Sequence, residues 1–497
     1  MTTHPPAYSH LLAELRRLDR LSSSLGILFW DEQTNMPPKS AQLRGEQTAA
    51  LSELVHREST RPEIGELLAK LKEADLDEDA AAVVREARKA YNRATCLPGE
   101  YVARAAAARS AGFHAWVEAR KDNDFAQFAP HLEAQIDLAR EGAHYQGATD
   151  VYDHLIDSFD PGMTSAIIDP LFAELEEGIR PILGTILGSE RGVDPSLFKG
   201  FPEDKQEVFL REVVTAFGFD FGRGRIDRAI HPFCGGHPED TRMTTRYDSD
   251  NPLDSITSAM HETGHALYEQ GLNREFAGTA LGSSVGMAVH ESQSRLWENQ
   301  VGRSRAFWRH WEPRYRELFP EQLAPLSSAD LHLAINRVAI TPIRVDADEV
   351  TYNLHILLRY QMERDLFSGK LTVKDVPAAW NARSAEILRF TPQTDREGCL
   401  QDVHWSEGLF GYFPSYTLGN LLAAQLWYRL QEDLPDVEAQ IGRAEFTPLL
   451  EWLRNHVHSL GRRYYTQTFA QKVTGSPLTP QPLLRYLRER YLPLYSN

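Results

Sequence analysis

The stretch Asn251–Gly271 constrains this chain more than any other, because it reads as a complete helix bearing two metal-competent side chains on one face. Pro252 suits the first turn, where its missing N–H would have no helical partner, and Gly271 suits the C-terminal stop. Between them stands His261-Glu262-Thr263-Gly264-His265. Histidines four residues apart lie one turn above each other, so both imidazoles can reach one ion. Glu262, one residue on from His261, can hydrogen-bond a metal-bound water without being a ligand. The bland alternative is a helix with two satisfied histidines.

A zinc-type site needs a third protein ligand and, for catalysis, an open fourth position. No third His or Asp follows at short spacing. The next helical stretch, Ser283–Gln300, contains His290-Glu291-Ser292-Gln293. Glu291 lies 26 residues beyond His265, enough for a turn and an adjacent helix to bring it back to the metal. It also precedes Arg295 by four residues, the spacing of a solvated helical ion pair. His290 reads as a packed residue or one that braces a ligand from behind.

The rest of the chain is patterned mainly as helix. Leu11, Leu12, Leu15 and Leu18 form one apolar stripe. Met36-Pro37-Pro38 breaks it, and a helix restarts near Ser40. Residues 78–95 are rich in Ala, Arg and Glu and stop before Leu97-Pro98-Gly99; helical periodicity continues over 100–146 and 168–188. Strand composition is confined to Arg242–Tyr247, with Cys234–Asp240 as a turn and a partner strand through Ile230 to Phe233. The expected fold is mainly α, one large helical body over residues 1–497 with a small sheet beside the metal-binding helix.

Composition narrows the partners. With 53 basic and 70 acidic side chains the formal net charge is -17, and no basic block stands ready for phosphates, which argues against nucleic acid. Cys96, Cys234 and Cys399 are odd in number and far apart, so neither a disulfide framework nor a thiolate zinc site is expected. The start, Met-Thr-Thr-His-Pro-Pro, lacks a basic region followed by an apolar core, and no apolar run approaches a spanning length. A cytoplasmic protein without a membrane partner is the expectation.

Several short elements recur in a fixed order: Trp30-Asp31, Met36-Pro37, Arg44, His231-Pro232-Phe233, Asp240-Thr241-Arg242-Met243-Thr244, the two metal segments, Ile343-Arg344-Val345-Asp346-Ala347-Asp348, and Gly398-Cys399-Leu400-Gln401-Asp402-Val403-His404-Trp405. In them the sequence resembles the carboxypeptidase Taq family of metallocarboxypeptidases over most of its length, most densely between about 225 and 425, after an N-terminal helical region of about 1–200. One departure is visible. Where the family usually carries Tyr-Leu-Gly before a proline, this chain has Ile387-Leu388-Arg389-Phe390-Thr391-Pro392.

The resemblance implies a deep groove, a homodimer, peptide substrates with a free C-terminus, and Zn2+ with Co2+ as an alternative. It implies His261, His265 and Glu291 as ligands and Glu262 as the base that activates the metal-bound water. His404, Tyr412 and Tyr416 are implied as further catalytic groups, although both tyrosines suit a core equally well. Arg344 is implied as the group that docks the substrate carboxylate; an ion pair with Asp346 or Asp348 is its alternative. Arg242 could line the groove or, with Asp240, brace the sheet. The rival readings are a zinc endopeptidase or dipeptidase of the same helical type, and a non-catalytic scaffold with a decayed motif.

Overall fold

In the computed structural model, residues 4–72, 74–229 and 231–496 are described. The apolar stripe at the start does what its spacing requires. It lies on helix α1 (Pro6–Thr34), where Leu11 is fully buried and Leu12, Leu15 and Leu18 pack beside Ile64, Leu68, Val83 and Val84. The Pro37-Pro38 break holds: a 3-10 turn at Pro38–Ser40 leads into a helix at Ala41–Ser59. The 78–95 helix is found as Glu78–Thr95. The periodic run 100–146 is two helices, Gly99–Asp122 and Phe125–Tyr145, because Asn123 turns left-handed at φ 56° between them.

The chain forms two compact units. One comprises Met1–Ala94, Gly192–Ile335 and Leu422–Pro477; the other comprises Thr95–Arg191, Asn336–Leu421 and Leu478–Asn497. Helices dominate both. Among the described residues, no helix is long and apolar enough to cross a membrane.

The sheet belongs to the first unit and departs in detail from the sequence reading. Its strands are β1 (Gly224–Arg228), β2 (Cys234–His237) and β3 (Asp240–Thr245), in the order β1-β3-β2. β1 runs parallel to β3 and was not expected, since its Arg and Asp residues look like loop. Cys234–His237, expected as turn, pairs antiparallel with β3, and only the link to Asp240 turns. Ile230 lies outside the described residues. His231–Phe233 carry no strand, consistent with Pro232 having no N–H to give a ladder. Phe233 still meets β3: its carbonyl accepts from the Thr244 N–H at 2.8 Å and its N–H donates to the Thr244 hydroxyl at 2.9 Å.

Helix α2 (Pro252–Gly271) packs on this sheet and is apolar or buried over most of its circumference. Thr263 in the metal motif reaches the Met243 sulfur of β3 at 3.8 Å. Helix α3 (Met287–Arg295) crosses α2 and continues into a π-helical segment, Leu296–Gly302. α3 starts later than expected, since Ser283–Gly286 are not helical and Gly286 is extended. In the second unit, helices α4 (Tyr352–Ser368) and α5 (Phe413–Asp433, which runs on into the first unit) flank the loop that carries His404.

Candidate metal centre

α2 and α3 meet closely enough to share a site because of one residue inside the motif. A Cβ on Gly264 would fall 2.5 Å from the Gln293 carbonyl oxygen and 2.5 Å from the Ser294 Cα, both backbone atoms. Only glycine lets the helices touch there. That contact brings Glu291 under the two histidines.

His261 Nε2 stands 3.6 Å, and His265 Nε2 3.4 Å, from the same Glu291 oxygen, Oε2. All three ligand atoms lie within 4.8 Å of one another. Two atoms each ~2.1 Å from a tetrahedral ion sit about 3.4 Å apart, so the spacing fits one zinc-type ion. The donor set fits as well, two imidazoles and a carboxylate.

The groups behind the two histidines fix which nitrogen each turns toward Glu291. Glu298 Oε2 accepts from His261 Nδ1 at 2.9 Å, which leaves Nε2 as the free lone pair. On the other side, Glu269 Oε1 accepts from His290 Nε2 at 2.7 Å, so His290 Nδ1 is the acceptor for His265 Nδ1 at 2.6 Å. His265 therefore also presents Nε2. Arg295 bridges the acids, donating from Nε to Glu291 Oε1 at 2.6 Å and from Nη1 to Glu298 Oε2 at 3.2 Å. The two readings of Glu291 thus coexist: one oxygen pairs with Arg295 while the other faces the histidines.

The charges respond accordingly. Burial alone would raise the Glu291 carboxyl, but Arg295 and the two histidines outweigh it and hold it well below the usual carboxylate range. Glu298 behaves likewise, drawn down to about 2 mainly by Arg295 against the effect of burial. Burial and the neighbouring imidazoles lower His265 to about 3, keeping its ring neutral as a ligand must be. Glu262 is different. No cation pairs with it among the described residues, and burial, with Glu291 and Glu298 nearby, pushes it up to about 7. A carboxyl poised near neutrality suits a group that takes and returns protons.

The family model for the carboxypeptidase Taq (M32) metallopeptidases matches residues 10–491. The chain belongs to that family. It is an enzyme, a metallocarboxypeptidase whose family requires a divalent metal. It is 42% identical to thermostable carboxypeptidase 1 of Thermus thermophilus over 99% of this chain and 100% of that one. It is 38% identical to carboxypeptidase 1 of Bacillus subtilis, covering 97% of each. The crystal structure of the M32 carboxypeptidase from Deinococcus radiodurans superposes with a TM-score of 0.96 at 38% identity, covering 99% and 100% of the two chains.

Of the other residues that the M32 resemblance singled out, Arg344, His404, Tyr412 and Tyr416 lie in the second unit. His404 Nε2 lies 3.1 Å from the Tyr416 hydroxyl, and its ring is 5.5 Å from that of Tyr412. Burial, with Arg344 nearby, lowers His404 to about 3, so the ring stays neutral. Its Nδ1 has no hydrogen-bond partner among the described residues. Arg344 is paired neither with Asp346 nor with Asp348. Its Nε donates to Asp402 Oδ1 at 2.9 Å and its Nη1 to the Tyr352 hydroxyl at 2.9 Å. Arg359 Nε takes Asp402 Oδ2 at 2.6 Å, while Asp348 accepts from Ala339, Val350 and Thr351. In the first unit, Arg242 makes a two-pronged bond to Asp240 at 2.9 and 2.8 Å and lies 4.7 Å over the Trp30 ring, a bracing arrangement between α1 and the sheet.

Sequence reasoning missed Glu269 and Glu298, yet both carried a signal. Glu269 continues the His261–His265 face by four residues, and Glu298 follows Glu291 and Arg295 at helical spacing.

Proposed function

We propose that this enzyme removes residues one at a time from the free C-terminus of peptides, with zinc held by His261, His265 and Glu291 and with Glu262 as general base. The observation that carries the reading is the convergence of those three ligands beside a buried carboxyl that no cation pairs with. Bound there, the ion supplies Lewis-acid polarisation and a water acidified towards neutrality. Glu262 would take a proton from the attacking water and return it to the leaving amine. Glu298 and the His290–Glu269 pair keep both rings turned the right way.

His404, Tyr412 and Tyr416 are the candidates for stabilising the developing oxyanion; a neutral imidazole and phenols donate without bringing a competing charge. Arg344 is the candidate for the substrate carboxylate. A guanidinium carries five N–H donors, more than Asp402 and Tyr352 use here. Arg242 is a second candidate, though its bond to Asp240 supports a bracing role. Cobalt suits the same ligand set. A single catalytic domain over 1–497, a homodimer and a cytoplasmic site of action complete the reading, on the strength of the resemblance.

The test is a mass-spectrometric time course on one peptide, supplied as free acid and as C-terminal amide, with zinc, with cobalt, and after chelation. Stepwise loss of residues from the free acid alone, abolished by chelator, is the expected result. Internal fragments from both forms would replace it with the endopeptidase reading, and release of residue pairs with the dipeptidase type.

A further inference from the structure

Glu363 of α4 is fully buried, and the proposed chemistry does not use it. No Arg or Lys lies within ion-pair distance of it among the described residues. Its carboxylate faces donors only. Oε1 accepts from Trp405 Nε1 at 2.8 Å; Oε2 accepts from the Gly411 N–H at 2.9 Å and the Tyr152 hydroxyl at 2.8 Å. Burial pushes its carboxyl up to about 7 while the three donors pull it down; ionised, it offers acceptors alone, and a glutamine would turn its NH2 against one of these donors. Burying a carboxylate without a cation is costly unless hydrogen bonds compensate, so the three bonds are what hold it there.

Two of those donors stand next to residues that matter. Trp405 follows His404, and Gly411 precedes Tyr412. The chain between them is a 3-10 turn, His404–Glu407, closed by Gly408 at φ 72° and Gly411 at φ 80°. Gly411 is pressed against the helix Val151–Phe159: a Cβ there would lie 2.7 Å from the Ile156 nitrogen and 2.7 Å from the Leu155 carbonyl carbon. That close approach aims the Gly411 N–H at Glu363. One buried carboxylate therefore pins both ends of the loop that carries His404 and Tyr412.

We infer that Glu363 is a positioning residue for the reaction, setting the His404 and Tyr412 side chains through their chain neighbours. The inference rests on the reading of His404 and Tyr412 as groups that act on the substrate.

The test compares Glu363→Gln, Trp405→Phe and Tyr152→Phe in the metal-loaded enzyme on a free-acid peptide. Tyr152→Phe removes a bond to the same carboxylate without touching the loop, so it reports the purely structural cost. Glu363→Gln and Trp405→Phe are expected to lower kcat by about tenfold or more, since small misplacements of reacting groups are that expensive. KM and metal content stay within about twofold, because neither ligand nor binding groups are altered. Tyr152→Phe lowers Tm comparably while kcat falls less than about threefold. In a His404→Ala background, Glu363→Gln adds less than about twofold, the non-additivity of residues that act as a unit. If Glu363→Gln fails to fold, the Trp405→Phe and Tyr152→Phe pair decides. A kcat that tracks Tm across the variants, or a Glu363→Gln loss that multiplies fully onto His404→Ala, would overturn the inference. Full turnover by His404→Ala and Tyr412→Phe would instead remove the reading beneath it.

Discussion

At the scale of single residues, the centre divides its work between atoms of the same side chain. Glu291 gives one oxygen to Arg295 and the other to the two imidazoles, and each imidazole turns one nitrogen to a brace and one toward that shared oxygen. Of the three acids Glu262, Glu291 and Glu298, Glu262 is the one with no ion-pair partner among the described residues, which suits a base. Glu262→Gln keeps the shape and removes the base: metal content by elemental analysis should be unchanged while kcat falls at least ~100-fold. The braces act on affinity instead. Glu298→Ala and His290→Ala should each weaken metal binding about 10–100-fold, read by competition with a chelating dye. An unchanged affinity in both would mean that the rings are held by packing alone.

At the scale of elements, two contacts decide the local geometry. Gly264 lets α2 and α3 touch, and a methyl group there meets backbone that cannot give way. Gly264→Ala should cost about 1–3 kcal/mol in thermal unfolding and weaken metal binding as Glu291 is pushed off the histidines. Alanine tolerated at full metal affinity would show that the helices can separate without harm. The second contact is the departure at Ile387–Pro392. Ile387 and Leu388 are buried, the helix Val376–Ile387 ends there, and Arg389 follows at φ 63°. Arg389 adopts the left-handed turn that glycine favours at a helix end. Arg389→Val should destabilise by about 1–2 kcal/mol while Arg389→Gly does not, measured by urea unfolding. This element also shows the limit of pattern reading. The departure from the family's Tyr-Leu-Gly is visible in the sequence, but the left-handed backbone at Arg389 is not.

At the scale of the whole molecule, buried charge sets how the protein meets acid. Asp402 lies between Arg344 and Arg359 in the second unit. Burial would raise its carboxyl, but the two guanidinium groups hold it far below the ordinary value. A carboxyl depressed in the fold binds fewer protons there than when unfolded. Its contribution is thus complete above the unfolded pKa, near ~4, and is lost as pH falls through the folded one. Asp402→Asn leaves two buried cations without their acid, and should cost about 3–5 kcal/mol at pH 7. It should also flatten the fall of Tm below about pH 4, read by calorimetry across pH. A variant whose acid limb matches the wild type would assign that limb to other carboxylates.

What the sequence alone determined is whatever depends on short spacing. The ends of α2, the pairing of His261 with His265, the leucine stripe of α1 and the breaks at Pro37-Pro38 and before Gly99 are all fixed by residues within a few positions of each other. Helices are local objects, and so were legible. The sheet was only partly so: β1 gains its ladder from β3, seventeen residues on in register, and nothing in Gly224–Arg228 announces that partner. The partner of Arg344 was sought nearby at Asp346 and Asp348 and is Asp402, 58 residues on. Glu363 gave no sign at all, because its meaning comes from Tyr152, Trp405 and Gly411, which only the folded chain gathers. Spacing along a helix is set by its fixed rise and turn, whereas the partners of a buried charge are set by which distant segments pack around it, and that is decided by the tertiary structure.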